Sequence, residues 1–454
     1  MIFKASKAVN TLFYLAYIFS ILFFLSYIYS LISPEIIIQN TSSYEIISKL
    51  LFFVSSFSFI FLSVIFKKLY ISKLSIFLLI FISFVLLRTL IDFNDLNEFL
   101  TYSVSAGGGV LIHFLMGTLL MAQQNYLLNF TNVIRVKKVL NITMTFSLFL
   151  VLLVFLQIIS NVNESVFLID ILRGSYQLPG KAFIMLVLFL QLMILNLNVR
   201  SINTRFSDFL FLLISFICAV SAQGFGSNTG LVVILLLALN FLGFRMISNG
   251  KNIKKILSLP FPSNTGFNIF SRSFQALMNR QFVTLIFITI LSTFLIFNLF
   301  SEYLALFRIF SYGELGDLRS ITSRYELLPN FFPQAEIGLF FGNLASDEIT
   351  TGKGTYPHSF LLTLITHTGF FGTLIFLLFL INYLNKLFTI ENYVKEKLHD
   401  VKKYKYFLLI TFLMLFIYTN FATFFTWVPL WFFFGCTINM FNFYTYEKSF
   451  RDSP

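Results

Sequence analysis

Apolar runs long enough to cross a bilayer follow one another through this chain with almost no charge inside them. A membrane-crossing helix needs about 20 apolar residues. Twelve such runs are present: 9–32, 50–66, 74–91, 103–122, 139–160, 182–199, 207–222, 229–244, 282–301, 359–385, 406–424 and 427–445. The seventh and eighth are short for a full crossing, which leaves a tilted or partly re-entrant path open. The first follows Lys4 and Lys7. It is longer than a signal-peptide core and lacks a clear small-residue cleavage site, so it reads as a retained span. The composition agrees, with 57% hydrophobic and 11% charged residues against about 25% charged in soluble domains. A soluble chain of 454 residues would divide into domains joined by polar linkers, and none is visible. A soluble enzyme, a secreted disulfide scaffold and a disordered chain are thereby excluded. The expected fold is all-α, a polytopic integral membrane protein of about twelve transmembrane helices.

The net charge of +12 would suit nucleic acid or anionic lipid, and its distribution decides between them. With both termini cytoplasmic, 24 of the 32 Lys and Arg residues fall on the inside, and 14 of the 20 acidic residues fall outside. That is the positive-inside bias of a membrane protein, so the charge is a topology signal and no nucleic-acid partner is expected. In this orientation most loops are short. The exceptions are outside: a segment of mixed charge, Gly, Pro and aromatics over 302–357, before the tenth span, and a smaller loop over 161–181. The whole chain, 1–454, reads as one membrane domain carrying these two loops.

Several chemistries have no residues to carry them. There is no Walker-type loop, paired-Cys motif or His-Glu zinc helix. Gly224-Phe225-Gly226 with Gly230 has the wrong spacing for a dinucleotide fingerprint and reads as a tight turn. Cys218 and Cys436 lie in apolar runs and act as small apolar residues. Of the four histidines, His399 sits in a Lys-rich loop, and His113 stands beside Gly107-Gly108-Gly109, placed to pair with a neighbouring helix. His358 opens the tenth span in Tyr356-Pro357-His358-Ser359, where an imidazole can serve as a general base. His367 would stand about 13–14 Å further along a straight helix and on roughly the opposite face, so the two cannot share a metal. No metal or other cofactor is expected.

The external arginines are the second signal, because outer loops usually lack them. They are Arg173 in the smaller loop, and Arg308, Arg319 and Arg324 in the larger one. A guanidinium keeps its charge and offers a planar fork that matches phosphate oxygens. The bland reading is salt bridges with Glu314, Asp317, Glu326 and Glu336 nearby.

One family pattern fits these features. The stretch Ser323-Arg324-Tyr325, then Pro333, Gly338 to Gly342, Pro357-His358-Ser359 and Gly369 to Gly372 resembles the signature region of O-antigen polymerases and O-antigen ligases. Arg173-Gly174 with Pro179-Gly180-Lys181 resembles their first arginine-bearing outer loop. The likeness covers roughly residues 160–375 in motif terms, and the order Arg173, Arg324, His358 is its most specific part. The chain departs from the pattern where a Ser-Arg-Thr-Gly is usual and Ser227-Asn228-Thr229-Gly230 stands, and where His-Asn is usual and His358-Ser359 stands.

What the resemblance implies is a membrane glycosyltransferase of the bacterial inner membrane. Its substrate would be an undecaprenyl-pyrophosphate-linked oligosaccharide, presented at the periplasmic face and moved from one carrier lipid to the end of another glycan. Arg173 and Arg324 would stabilise the departing pyrophosphate and His358 would take the acceptor proton. Arg319 and Arg308 are candidates for further phosphate contact, and Tyr325, Tyr356 and Ser359 for the sugars. A chain-length regulator and a flippase would be its protein partners. A ligase shares this chemistry and differs in its acceptor, the lipid A-core. A lipid-linked glycan flippase or other transporter would instead place charge within the spans, and the spans here are nearly free of it.

Overall fold

A computed structural model describes residues 7–38, 42–66, 73–93, 108–130, 133–161, 177–198, 204–248, 326–352, 355–393, 401–422 and 425–451. Every regular element among them is helical. In chain order they are α1 (Lys7–Ile32), α2 (Pro34–Ile38), α3 (Ser42–Phe66), α4 (Lys73–Asp92), α5 (Gly109–Phe130), α6 (Val133–Asn161) and α7 (Gln177–Asn198). They continue with α8 (Arg205–Gly224), α9 (Asn228–Ser248), α10 (Phe331–Ile337), α11 (Ser346–Thr350), α12 (Phe360–Tyr393), α13 (Val401–Ala422) and α14 (Val428–Arg451). Seven of these helices, α1, α3, α6, α7, α8, α9 and α12, are long and apolar enough to cross a membrane. The chain is an all-α membrane protein.

Eleven of the twelve apolar runs lie on these helices; the ninth, 282–301, lies outside the described residues. The seventh and eighth runs correct the sequence reading. They belong to full-length helices of 20 and 21 residues, because polar residues such as Arg205, Gln223, Asn228 and Arg245 extend the helices beyond their apolar runs. The turn expected at Gly224 to Gly230 joins them, at residues 225–227.

The bundle is built around α7. Every residue from 182 to 197 is buried, and the helix packs against α1, α5, α6, α8, α9 and α14. A helix apolar on all sides buries all sides. Two of its polar side chains reach neighbours: the Asn196 amide donates to Gln124 Oε1 at 3.1 Å and Asn125 Oδ1 at 2.6 Å, and Gln191 Nε2 donates to the Leu237 carbonyl at 3.1 Å. Peripheral helices do the opposite. Along α3, Ile46, Leu50, Val54, Phe57, Phe61 and Val64 are all exposed, as a lipid-facing surface requires.

Helices α5 and α14 pack against each other most extensively. A Cβ on Gly117 would strike the Phe432 carbonyl, and one on Gly435 the Phe114 carbonyl. Small residues of this kind let two membrane helices approach backbone to backbone. His113, on α5, pairs with a neighbouring helix as its position suggested: Tyr27 OH on α1 lies 2.7 Å from its Nε2, and its Nδ1 lies 2.6 Å from the Gly109 carbonyl.

Candidate functional site

The described part of the 302–357 segment is folded. After a short 3-10 turn at Leu328–Asn330 come α10 and α11, and residues 355–359 then lead into α12. Side chains tie these pieces together. Gln334 is fully buried and its amide donates to Thr351 Oγ1 at 2.8 Å and the Thr355 carbonyl at 3.3 Å. Asn330 Nδ2 reaches the same carbonyl at 2.8 Å.

This loop meets α12 at a break. Gly369 has φ +64 and ψ −170, a backbone region open essentially only to glycine, and it divides α12 into an upper piece and a lower one. The backbone groups freed by the break are satisfied by the loop. The N–H groups of Phe370 and Phe371 donate to the carbonyls of Leu339 and Phe340, each at 2.9 Å, and the Asn343 N–H donates to the Thr366 carbonyl at 3.0 Å. Gly342, at φ +77, lies against the His367 carbonyl so closely that a Cβ would collide with it. The Leu344 N–H donates at 2.9 Å to Asp92, which pairs with Arg88 on α4.

The chain turns sharply just before α12, with the Ser359 N–H 2.8 Å from the Pro357 carbonyl. This folds Tyr356 back beside the upper piece. Its ring lies 5.5 Å from the His358 imidazole and 6.5 Å from that of His367, centroid to centroid. The straight-helix estimate that put the two histidines on different faces therefore needs correcting: His358 precedes the helix, and one tyrosine contacts both. Asp347, buried at the start of α11, acts electrostatically on Tyr356 and on His367. Burial first, and then the Asp347 charge, push the Tyr356 phenol above its ordinary value. The phenol thus stays protonated, able to donate a hydrogen bond, throughout the neutral range. Phe425 covers the far side of His367 at 5.6 Å. Its N–H donates to Thr363 Oγ1 at 3.0 Å, and Asn420 Oδ1 accepts the Leu361 N–H at 3.1 Å.

Ser359 is buried and begins the helix: its carbonyl accepts the Thr363 N–H at 2.9 Å, and its hydroxyl faces the Leu362 N–H at 3.5 Å. Arg173, Arg308, Arg319, Arg324 and Tyr325 lie outside the described residues. The point where the Arg173 loop re-enters the bundle is described. There Gly180 packs directly on Ser227 and Gly230, so two of the stretches compared with the family pattern touch. Thr229 accepts a hydrogen bond from Tyr418, whose ring packs on Trp427 at 5.5 Å. The 225–227 turn, the start of α9 and the histidine cluster thus share one end of the bundle.

The cluster holds polar groups whose chemistry is not yet used. Gln334 Oε1 and Ser346 Oγ are buried and make no hydrogen bond. Unsatisfied buried polar atoms are few in native proteins. Asp347 and Gln334 were not singled out from the sequence, where an acid and an amide in a polar loop carry no signature. Among the described residues no group of three His, Cys, Asp or Glu side chains could hold a metal ion. No protein-family model, curated protein or solved structure matches the chain.

Proposed function

We propose that this chain is a metal-independent membrane glycosyltransferase that polymerises undecaprenyl-pyrophosphate-linked oligosaccharide repeat units into O-antigen or capsular polysaccharide. The reaction runs at the periplasmic face of the bacterial inner membrane, with both termini cytoplasmic. The observation that carries this reading is the cluster of His358, Tyr356, His367 and Asp347 at the junction of loop and span. A histidine base at that junction meets a substrate whose lipid lies in the bilayer and whose sugars lie in water.

His358 takes the proton from the acceptor hydroxyl as its oxygen attacks the anomeric carbon of the donor. The bond from that carbon to the pyrophosphate oxygen breaks, and the electron pair leaves with undecaprenyl pyrophosphate. Arg173 and Arg324 stabilise the charge gathering on that leaving group, which is where electrostatic catalysis has most effect. Tyr356 offers a ring and a neutral phenol to the sugars.

The test is a purified assay on lipid-linked repeat units, without added metal or nucleotide. The wild type is expected to extend chains and to resist chelators; arrest by a chelator would sink the metal-independent mechanism. Arg173→Lys and Arg324→Lys keep the charge and lose the fork, so each should lower long-chain product about 10–100-fold, the worth of a lost charged hydrogen bond. Full activity in both Lys variants would remove the arginines from the mechanism. In cells, loss of long chains with one repeat unit retained is the polymerase outcome, and loss of all glycan from the lipid core is the ligase outcome. The orientation has its own test. A reporter active only in the periplasm should work when fused near Asp347 and stay silent at Pro454; the reverse would overturn the topology.

A further inference from the structure

The side chains of 331–341 point the wrong way for a loop surrounded by water. Phe332 is 74% exposed, Leu339 59%, Phe340 66% and Phe341 58%, and Ile337 is also exposed. The polar Gln334 of the same segment is turned inward and buried. Among these outward-facing residues, Glu336 is the charged one.

The depth of the segment follows from its backbone bonds. Leu339 and Phe340 accept from Phe370 and Phe371, so they sit level with the break in α12. Below the break, 370–389 are the remaining residues of the candidate span. At 1.5 Å per residue they reach about 30 Å, the thickness of a hydrocarbon core. The break therefore falls at the edge of that layer, with the 339–341 tip beside it. The apolar surface is also continuous. The Phe341 ring lies 6.0 Å from Phe371, which lies 5.5 Å from Phe84 on α4. Below them Phe370, Leu374, Leu377, Leu378 and Ile381 are exposed on α12. Non-helical backbone tolerates this depth only when its polar groups are met by protein, and here α12 meets them.

The geometry points to a membrane-inserted loop: residues 331–341 seat their phenylalanines among the lipid acyl chains on the side where α12 begins, with Glu336 at headgroup level. The occupant of this face is the bilayer itself. The segment anchors the histidine cluster at a fixed height over the membrane, where a lipid-borne group would arrive. This rests on the packing and does not depend on the reaction proposed above.

Single cysteines at Phe332, Phe340 and Phe341 would carry an environment-sensitive fluorophore in the full-length protein, reconstituted in phosphatidylcholine vesicles. Cys218 and Cys436 are buried and remain. Quenching by phospholipid bearing a nitroxide near the top of its acyl chain should be at least as strong as at Leu377→Cys, which lies about 12 Å deeper along the helix, while iodide should act only at Glu326→Cys. As a second measurement needing no variant, a phospholipid with a photoreactive acyl chain should label the peptide holding 339–341 in the wild-type protein. Iodide quenching at Phe340 and Phe341 equal to that at Glu326, or an unlabelled 339–341 peptide, would overturn the proposal. Cross-linking between copies through Phe340→Cys, with neither quencher effective, would also overturn it and assign the face to a second copy.

Discussion

Replacing His358 by alanine is expected to lower chain extension by about 10²–10⁴-fold, the usual contribution of a general base. Folded protein in the membrane should hold at the wild-type level, since His358 stands outside α12 and is only half-buried. His367→Ala is expected to be milder. That residue is buried in the upper piece of α12 and touches Tyr356 from within, so its loss loosens the tyrosine without removing the base. Normal extension by His358→Ala, with arrest by His367→Ala, would show that the base had been assigned to the wrong imidazole.

Alanine at Gly369 or Gly342 is expected to destabilise the protein strongly and abolish activity. At Gly369 the φ and ψ angles alone cost a non-glycine residue about 1–3 kcal/mol. The added Cβ would also strike the Gly342 N–H and the Phe340 carbonyl, backbone atoms that cannot swing aside. At Gly342 it would strike the His367 carbonyl. The two glycines are in effect one contact, so the double variant should lose little more than either single one. Gly243→Ala is the control: nothing lies within 4 Å of its added Cβ, and a helix interior favours alanine. Thermal unfolding in detergent reads the difference. Melting of both variants alongside Gly243→Ala would mean that the break is not locked by this contact.

The helices were legible because each apolar run is uniform over its length, and eleven of the twelve fall on helices of the structure. Their ends were less so. α8 begins at Arg205 and runs past Gln223, α9 begins at Asn228 and runs past Arg245, and a hydropathy average stops before such residues. His358 and Tyr356 were singled out through their place at the head of a span. The meeting of Tyr356 with His367 was not, because it depends on a two-residue reversal at Pro357-His358-Ser359 that no periodicity records. The break at Gly369 was hidden for a related reason. Gly369 to Gly372 read as part of a motif within one apolar run, and the run does not tell one straight helix from two pieces bridged by a distant loop. Asp347 and Gln334 enter through long-range packing alone.

The pairing of α5 with α14 has a consequence for how the molecule is made. Asn125 donates to the Asn439 carbonyl, and Asn439 donates to the Thr118 carbonyl, across more than 300 residues of chain. α14 also covers one flank of α7. While a ribosome is still synthesising the middle of the protein, that flank and the small-residue seam of α5 have no protein to meet. The amide of Gln191 likewise waits for Leu237 to emerge. The centre of the bundle can therefore close only when its latest-made helix slots in beside one of its earliest, so a ribosome stalled ahead of Val428 leaves a chain whose inserted helices surround an unfinished core.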